Sequence, residues 1–325
     1  MHRELWFTGP RAVELREGAA PRAPGPGEVI ARARASGVSQ GTELLLYRGE
    51  GPTPFDPSLD APGAATYPRR YGYAWVGEVV EVGAGAGFGR GELVFGLKAH
   101  GDVHVLRAGE ARGLPGGIPA ERATLAANLE TAVTCVWDAG VGLGDEVVVL
   151  GGGVVGLLVA WLCVRAGGRV RVVEPSARRR EAALGLGAAA AVGPAEDAPR
   201  GEADVVIGAT GDPGEIDRAV EHAGREATIA IASFYGARRA AVDLGAAFHR
   251  RRLTLRATQV SVIPPGRAAR WDGGRRFRLV GELLGEARLD GLIDAAAFED
   301  AAGVYAGLDA EPGARLQTVF RYGRG

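Results

Sequence analysis

The spacing of hydrophobic residues changes at about residue 121. Before that point, apolar and polar residues alternate in short runs such as 27–38 ("GEVIARARASGV") and 77–83 ("GEVVEVG"), which indicates half-buried β-strands separated by Gly- and Pro-rich turns. Residues 49–68, with five prolines, predict a long surface loop. The first third of the chain is therefore predicted to be rich in β-structure.

After residue 121 the apolar residues predict alternating helices and buried strands. Segment 121–140 has helical spacing and ends in glycine. The strand-like runs that follow are 146–150, 169–174, 203–211 and 227–233, and the helical runs between them are 154–167, 177–188 and 214–224. This alternation is typical of parallel β-α-β units.

The last 60 or so residues return to a mixed pattern, with a helical run at 276–287 and a strand-like run at 315–322. We therefore predict an α/β protein with two domains. A doubly wound parallel-sheet domain of residues 123–261 is inserted into a β-rich domain built from residues 1–122 and 262–325.

Composition narrows the functional classes. The 325 residues are 46% hydrophobic and carry a formal net charge of −1, which gives no drive toward nucleic acid or an anionic membrane. Cys135 and Cys163 are too few for a disulfide framework or a four-cysteine zinc lobe. The uncharged run 147–164 is interrupted by three successive glycines, which favours strand, turn and buried helix over a membrane span. We expect a soluble cytoplasmic protein.

A dinucleotide-binding motif follows the first strand of the predicted parallel sheet. In "VVVLGGGVVG", Gly151, Gly153 and Gly156 form a G-x-G-x-x-G. The first glycine permits a tight turn, the second lets backbone approach a pyrophosphate, and the third allows close helix-strand packing. With Val154 and Val155 they form the start of a helix whose N-terminus stabilises phosphate charge.

The next strand ends in Glu174, which favours NAD(H) over NADP(H). A carboxylate there accepts hydrogen bonds from both ribose hydroxyls and repels a 2′-phosphate. Arg178 and Arg179 follow within a few residues; they could contact adenosine or a 2′-phosphate, or form a solvated helix face. The loops after the next two parallel strands are further candidates for cofactor contacts: Ala209, Thr210, Gly211, Ser233 and Phe234.

In their order along the chain, these segments resemble the medium-chain dehydrogenase/reductase superfamily, whose zinc-type alcohol dehydrogenases carry related motifs. The matching segments are "SGVSQGTE" (36–43), "GYAWVGEVVEVG" (72–83) and "ANLETAVTCVWDAGVGLGDEVVVLGGG" (127–153). The resemblance covers nearly the whole chain and implies a GroES-like catalytic domain and a Rossmann domain, with the active site between them. It also implies a homodimer or homotetramer. "SGVSQGTELLLYRG" is similar to a subgroup that includes bacteriochlorophyllide, sugar and cyclitol dehydrogenases.

When the zinc-ligand positions of this family are carried over to the chain, none of them holds a zinc ligand. The first ligand position holds Ser39, the second is Tyr73 followed by Ala74 instead of His-Glu, and the third is Ala127. Zinc requires thiolate, imidazole or carboxylate, so we predict a zinc-free member. Glu43, Glu130 and His100 are the nearby residues that could rebuild a metal site.

Without zinc, alcohol or ketone chemistry needs a general acid/base. Tyr73, at a former ligand position, could donate a proton to a carbonyl or could simply fill the vacated space. His100 titrates near neutrality, with Asp102 as the residue that could orient it, and Lys98 and His104 are weaker alternatives. Thr42 matches a proton-relay hydroxyl, and Asn128 and Glu130 are either pocket groups or helix surface.

These residues predict a zinc-independent, NAD(H)-dependent oxidoreductase. Its substrate would be a secondary alcohol or ketone of a hydroxylated or cyclic metabolite. We expect no nucleic-acid or membrane partner. Two other interpretations stay open. One is an NAD(P)H-dependent enone or quinone reductase, since zinc-free members often reduce activated double bonds. The other is a non-catalytic nucleotide-binding protein that acts as a sensor or structural partner.

Overall fold

A computed structural model describes residues 2–50, 67–236 and 238–323. The predicted proline-rich loop falls mostly in 51–66, outside the described residues. The chain divides into two compact units, Met1–Ala127 with Gly281–Gly325 and Asn128–Val280. Both boundaries lie later in the chain than the predicted ones at 122/123 and 261/262.

The first unit begins with short strands and two short helices. These are β1 (His2–Gly9), β2 (Ala12–Gly18), β3 (Glu28–Gly37), α1 (Thr42–Arg48), β4 (Arg69–Arg70), β5 (Trp75–Val82), β6 (Leu93–Gly96), β7 (Val103–Arg107), β8 (Arg112–Gly113) and α2 (Ala120–Ala123).

The second unit alternates strands and helices as its sequence predicts. Its elements are α3 (Ala126–Ala139), β9 (Glu146–Leu150), α4 (Val154–Arg165), β10 (Arg169–Val173), α5 (Ala177–Gly185), β11 (Ala190–Val192), β12 (Ala203–Gly208), α6 (Glu215–His222), β13 (Ala223–Ile231), α7 (Ala247–Arg250), β14 (Thr254–Ala257), α8 (Pro265–Ala268) and α9 (Gly273–Leu283).

The chain then returns to the first unit through β15 (Ile293–Ala297), α10 (Ala301–Ala310) and β16 (Gln317–Arg321), with 3₁₀ turns at Ala287–Leu292 and Phe298–Asp300. Its larger sheet has the order β15-β16-β3-β5-β6-β8, with β7 also paired to β3, and a second sheet has the order β2-β1-β4. The pairing of β16 with β3 brings the last described strand beside Ser36 and Gly37. Residues from both chain ends therefore share one core, in which Phe7, Tyr305 and Phe320 are completely buried.

The second unit is a doubly wound sheet. Its six strands are all parallel, in the order β11-β10-β9-β12-β13-β14. The strand order reverses beside β9, and nucleotide ligands bind outside the carboxyl ends of the strands at such a switch point. The G-x-G-x-x-G motif lies at the carboxyl end of β9, so the predicted α/β fold class is confirmed.

Two features differ from the sequence prediction. The helix expected over 121–140 is two helices, α2 and α3. The outer strands β11 and β14 were not predicted, because β11 has three residues and every residue of β14 is exposed, which leaves no buried apolar run. Within the described residues, no helix is long and apolar enough to cross a membrane.

Candidate active site

The glycines of the G-x-G-x-x-G motif form a cradle that side chains would fill. Gly151 has φ +98°, and a Cβ there would stand 2.8 Å from the carbonyl oxygen of Ala209. A Cβ on Gly156 would stand 2.0 Å from the carbonyl oxygen of Gly151, so the helix packs directly against the turn. Gly153, the N-cap of α4, has open space at its Cβ position. This arrangement leaves room for a phosphate at a helix N-terminus, where Val154 and Val155 form the first turn.

Glu174 lies against this cradle and is 3% exposed. Its carboxylate accepts hydrogen bonds from Gly152 N–H at 2.7 Å and from Ser176 N–H at 2.9 Å. Arg179 Nη1 lies 3.9 Å from the same carboxylate. Since each carboxylate oxygen can accept two hydrogen bonds, Glu174 retains acceptor capacity for ribose hydroxyls. The predicted cofactor residues Glu174 and Arg179 therefore lie together beside the glycine turn.

The loops after β12 and β13 also lie at this edge of the sheet. Ala209 and Thr210 pack beside the Gly151 turn, and Gly211 follows them. Ser233 donates to the carbonyl of Gly208 at 3.3 Å. Phe234 is 49% exposed. The structure thus brings all the predicted cofactor residues to one end of one sheet.

Tyr73 and Ser39, at two positions where the sequence resemblance places zinc ligands, are hydrogen-bonded to each other. The Tyr73 hydroxyl lies 2.5 Å from Ser39 Oγ, and Ser39 Oγ also accepts from Thr42 N–H at 3.3 Å. Burial raises the pKa of Tyr73; Ser39 and Thr42 oppose the shift, while the Glu43 charge adds to it. Tyr73 is therefore a neutral phenol at neutral pH and can donate a proton.

His100 belongs to a buried hydrogen-bond network near this pair and is 1% exposed. Its Nδ1 lies 2.6 Å from Ser36 Oγ, and its Nε2 lies 3.0 Å from Glu43 Oε2. Gly72 has φ +129°, and a Cβ there would come within 2.9 Å of the imidazole, so this glycine admits the ring. Burial prevents His100 from contacting a substrate directly, which corrects its predicted role as a direct proton donor.

The rest of the network was not predicted. Tyr305 donates to Glu43 Oε2, Ser39 N–H donates to Glu43 Oε1 at 3.0 Å, and Tyr322 lies 2.7 Å from Ser36 Oγ. Burial raises the pKa of both tyrosines. The sequence contains only a weak indication of these residues. Tyr305 carries the one hydroxyl group in the mostly apolar helix α10, and Tyr322 is brought to Ser36 only by the pairing of strands.

Asp102 does not orient His100, contrary to the sequence prediction. Its carboxylate accepts from the backbone N–H of Arg3 at 2.8 Å and from Arg3 Nε at 3.1 Å, because the segment after His100 pairs with β1. His104 bonds the carbonyl of Ala99, and burial lowers its pKa to about 4. Lys98 forms a salt bridge with Glu110.

The residues at the three positions where the sequence resemblance places zinc ligands do not fit a zinc ion. They supply a hydroxyl, a phenol and a methyl group, and the first two bond each other. Glu130, considered as a substitute ligand, forms a salt bridge with Arg276 at 3.2 Å. Over residues 2–50, 67–236 and 238–323, no cluster of three or more His, Cys, Asp or Glu side chains could hold a metal ion.

Comparison with known proteins identifies the family, although no family model matches the chain. Over 229 residues the chain is 35% identical to the 2-desacetyl-2-hydroxyethyl bacteriochlorophyllide A dehydrogenase of Cereibacter sphaeroides, covering 65% of this chain and 68% of the relative. The chain belongs to the medium-chain dehydrogenase/reductase superfamily. It is accordingly an oxidoreductase of the dehydrogenase type.

Solved structures of this superfamily share the fold over the whole chain. The 2R,3R-butanediol dehydrogenase of Bacillus subtilis is 19% identical with a TM-score of 0.81, covering 99% of both chains. A dehydrogenase of Sinorhizobium meliloti bound to NADP is 20% identical with a TM-score of 0.80, also covering 99% of both chains. The first unit is thus GroES-like and the second is a Rossmann domain.

Proposed function

We propose that the protein is a zinc-independent, NAD(H)-dependent dehydrogenase that interconverts a secondary alcohol and a ketone. Its proton donor and acceptor is Tyr73. The observation that carries this proposal is the hydrogen bond between Tyr73 and Ser39, at two positions where relatives of the zinc type hold metal ligands. A Lewis acid is replaced here by a neutral phenol backed by a second hydroxyl.

The second unit provides the cofactor site. A bound nicotinamide dinucleotide supplies the hydride acceptor or donor. Gly151, Gly153 and Gly156 let the backbone approach its pyrophosphate, and the N-terminus of α4 stabilises the phosphate charge. Glu174 accepts hydrogen bonds from the ribose hydroxyls beside Gly152. The dinucleotide fits this site because the turn is open only with glycine: a Cβ added at Gly151 or Gly156 would collide with the backbone.

The choice of NAD(H) rests on Glu174. Its carboxylate is held in place by two backbone N–H groups, so it cannot easily turn away from a 2′-phosphate. Repulsion between the two negative charges favours the unphosphorylated ribose. The NADP of the Sinorhizobium meliloti structure belongs to a protein only 20% identical, and at that distance the likeness supports the fold alone.

Proton transfer rests on three hydroxyl-bearing residues of the first unit. Tyr73 donates its proton to the substrate oxygen during ketone reduction and takes it back during alcohol oxidation. Ser39 then donates to the Tyr73 oxygen, which stabilises the developing phenolate. Thr42 holds Ser39 through its backbone N–H and is the third hydroxyl beside Tyr73. The buried His100–Glu43 pair positions Ser39, since Glu43 accepts from the Ser39 N–H.

The family and the sequence relative support the proposed substrate class. The Cereibacter sphaeroides relative is named for a hydroxyethyl-bearing bacteriochlorophyllide, which supports an alcohol on a cyclic metabolite as the substrate class. We propose a hydroxylated or cyclic compound of specialised metabolism as the substrate. We also propose a cytoplasmic homodimer or homotetramer, to be checked by light scattering of the purified protein.

The proposed function is tested by assaying the purified protein, with and without a chelator, using NADH and NADPH. A panel of cyclic ketones, secondary alcohols, enones and quinones serves as substrates. We expect NADH-linked ketone or alcohol turnover that survives a chelator, with far less than one zinc per chain by elemental analysis. Stoichiometric zinc and loss of activity on chelation would contradict the zinc-independent mechanism. Turnover restricted to enones or quinones with NADPH would instead support the reductase interpretation.

A further inference from the structure

Glu215, the first residue of α6, is tied to both loops at the carboxyl edge of the Rossmann sheet. Its Oε1 accepts from Thr210 N–H at 3.3 Å and from the Tyr235 hydroxyl at 3.3 Å. Thr210 belongs to the loop after β12, and Tyr235 belongs to the segment after β13. One carboxyl group therefore joins two segments that the topology places at the cofactor edge.

The other oxygen of Glu215 is buried without a partner. The residue is 9% exposed, and Oε2 has no hydrogen-bond partner among the described residues. Gly208 and Ile231 lie beside this carboxyl group, since a Cβ on Gly208 would stand 3.1 Å from Glu215 Oε1 and 3.2 Å from Ile231 Cδ1. An ionised carboxylate in this environment lacks solvation for half of its charge.

The surroundings of Glu215 raise its pKa to about 7, mainly through burial. Hydrogen bonds from Thr210 and Tyr235 oppose the shift, and the Asp212 charge adds to it. Burial also raises the pKa of Tyr235, so Tyr235 remains a neutral donor.

Three other charged groups lie at the Glu215 end of α6: Asp212 just before the helix, Asp217 in its first turn, and Arg238, whose Nη2 would stand 3.6 Å from a Cβ on Gly211. The remaining charged groups near α6 lie farther along it. The strands packed on α6 carry their charges in their first residues, at the amino edge of the sheet. Arg251, directly after α7, donates to the carbonyls of Val220 and Ala223 at the end of α6. On α6 itself, Arg218 and His222 both bond Asp197. The charged residues away from the Glu215 end are Glu146, Asp204, Arg225, Glu226, His249 and Arg250, with Arg218, Glu221 and His222 on α6 itself.

We propose that Glu215 is a positioning residue of the dinucleotide site, whose ionisation weakens the binding of the anionic cofactor. This inference rests on the proposed function, because it requires the site to bind a nicotinamide dinucleotide. Neutral Glu215 holds Thr210 in place, and Thr210 and Ala209 in turn pack on the Gly151 turn of the phosphate cradle. Ionised Glu215 adds a negative charge at the edge where the pyrophosphate binds.

The sign of the effect follows from linkage. A dianionic pyrophosphate disfavours the carboxylate form, so binding raises the pKa of Glu215 and takes up a proton near neutral pH. We expect NADH affinity to fall about three- to tenfold as the pH rises from 6 to 8, the size expected for repulsion between like charges partly screened by solvent.

The test measures the dissociation constant of NADH by fluorescence from pH 6 to 8.5 in three proteins: wild type, Glu215→Gln and Asp217→Asn. The Gln variant keeps the acceptor oxygen but cannot ionise, so we expect a flat profile with tighter binding than wild type at pH 8. The exposed Asp217 lies two residues along the same helix, and its variant should keep the wild-type profile.

Calorimetry of wild-type protein gives a second readout that does not depend on folding of a variant. Heats of NADH binding at pH 7 in buffers of different ionisation enthalpy should show net proton uptake. A flat wild-type profile with no proton uptake, or a Gln variant with the wild-type slope, would overturn the role of Glu215. Failure of NADH to bind wild-type protein at every pH would instead overturn the proposed function, and this inference with it.

Discussion

Nε2 of His100 lies 3.0 Å from Oε2 of Glu43, and both side chains are almost completely buried. Tyr305 donates to the same carboxylate oxygen, and Ser39 N–H donates to the other. Ser36 Oγ–H completes the network by donating to His100 Nδ1 in the tautomer that carries its proton on Nε2. Glu43 is thus a buried acceptor with three donors, which fixes the backbone at Ser39.

Replacing Glu43 tests this network. In Glu43→Gln an amide N–H₂ group replaces one acceptor oxygen, so at least one of its donors loses a partner. We expect the free energy of unfolding to fall by about 1–3 kcal/mol, the cost of a buried unsatisfied group. Denaturant titration measures this value. The control is Glu50→Gln, the same substitution at an exposed residue. Equal stability of the two variants would show that the network carries little energy.

The phosphate cradle is tested by two glycine variants that differ in their clearance. Gly156→Ala places a Cβ 2.0 Å from a backbone oxygen, so we expect a large loss of thermal stability. Gly153→Ala has open space at its Cβ, and the N-cap backbone there is extended with a negative φ that alanine also adopts, so the fold should be kept. Its methyl group would stand where the pyrophosphate approaches, and we expect NADH affinity to fall by roughly tenfold or more.

Unchanged NADH affinity in Gly153→Ala, at unchanged melting temperature, would show that the pyrophosphate does not approach this glycine.

Cofactor choice is tested at Glu174. Glu174→Ser removes the carboxylate that repels a 2′-phosphate and leaves Arg179 without its acidic neighbour at 3.9 Å. We expect the ratio of NADPH to NADH affinity to rise by about tenfold or more. Direct binding titrations with both cofactors measure this ratio. Wild-type protein that already binds NADPH more tightly would contradict the assignment of NAD(H).

The stability of the second unit should depend on pH through Glu215. Its pKa of about 7 lies above the ordinary value of 4.5, so the unfolded state loses its proton first. The free energy of unfolding therefore falls as the pH rises from about 4.5 to about 7. Glu215→Gln removes this contribution, and its stability relative to wild type should be about 2 kcal/mol greater at pH 8 than at pH 5. Parallel denaturant titrations at both pH values measure the difference, and an equal difference at both would show that Glu215 does not titrate in this range.

The sequence predicted the Rossmann unit well, because buried parallel strands leave continuous apolar runs such as 146–150 and glycines mark the turn at 151–156. That the candidate cofactor residues would lie together was predictable for the same reason, since the carboxyl ends of parallel strands meet at one edge. Glu215 was missed because its burial depends on the strands packed over α6. In the sequence alone, an acidic residue at the start of a helix indicates only the ordinary favourable interaction with the helix dipole.

The network of the first unit was only partly predictable. Asp102 was the nearest acidic residue to His100 in the sequence. Because its segment pairs with β1, it accepts a hydrogen bond from Arg3 instead. The true partners of His100 come from 57 and 64 residues away, and Tyr305 and Tyr322 come from the other end of the chain. Such contacts follow from strand register, which local patterns do not specify.

The most direct test of the account is the turnover of Tyr73→Phe beside that of Tyr71→Phe. The two tyrosines are close neighbours, with ring centroids 6.3 Å apart, so the second variant controls for loss of a nearby phenol. We predict that Tyr73→Phe lowers kcat by about 10²- to 10⁴-fold with unchanged NADH affinity, while Tyr71→Phe stays within a few-fold of wild type. Turnover of Tyr73→Phe within a few-fold of wild type would contradict the central claim that this phenol has taken over the proton chemistry of the lost metal site.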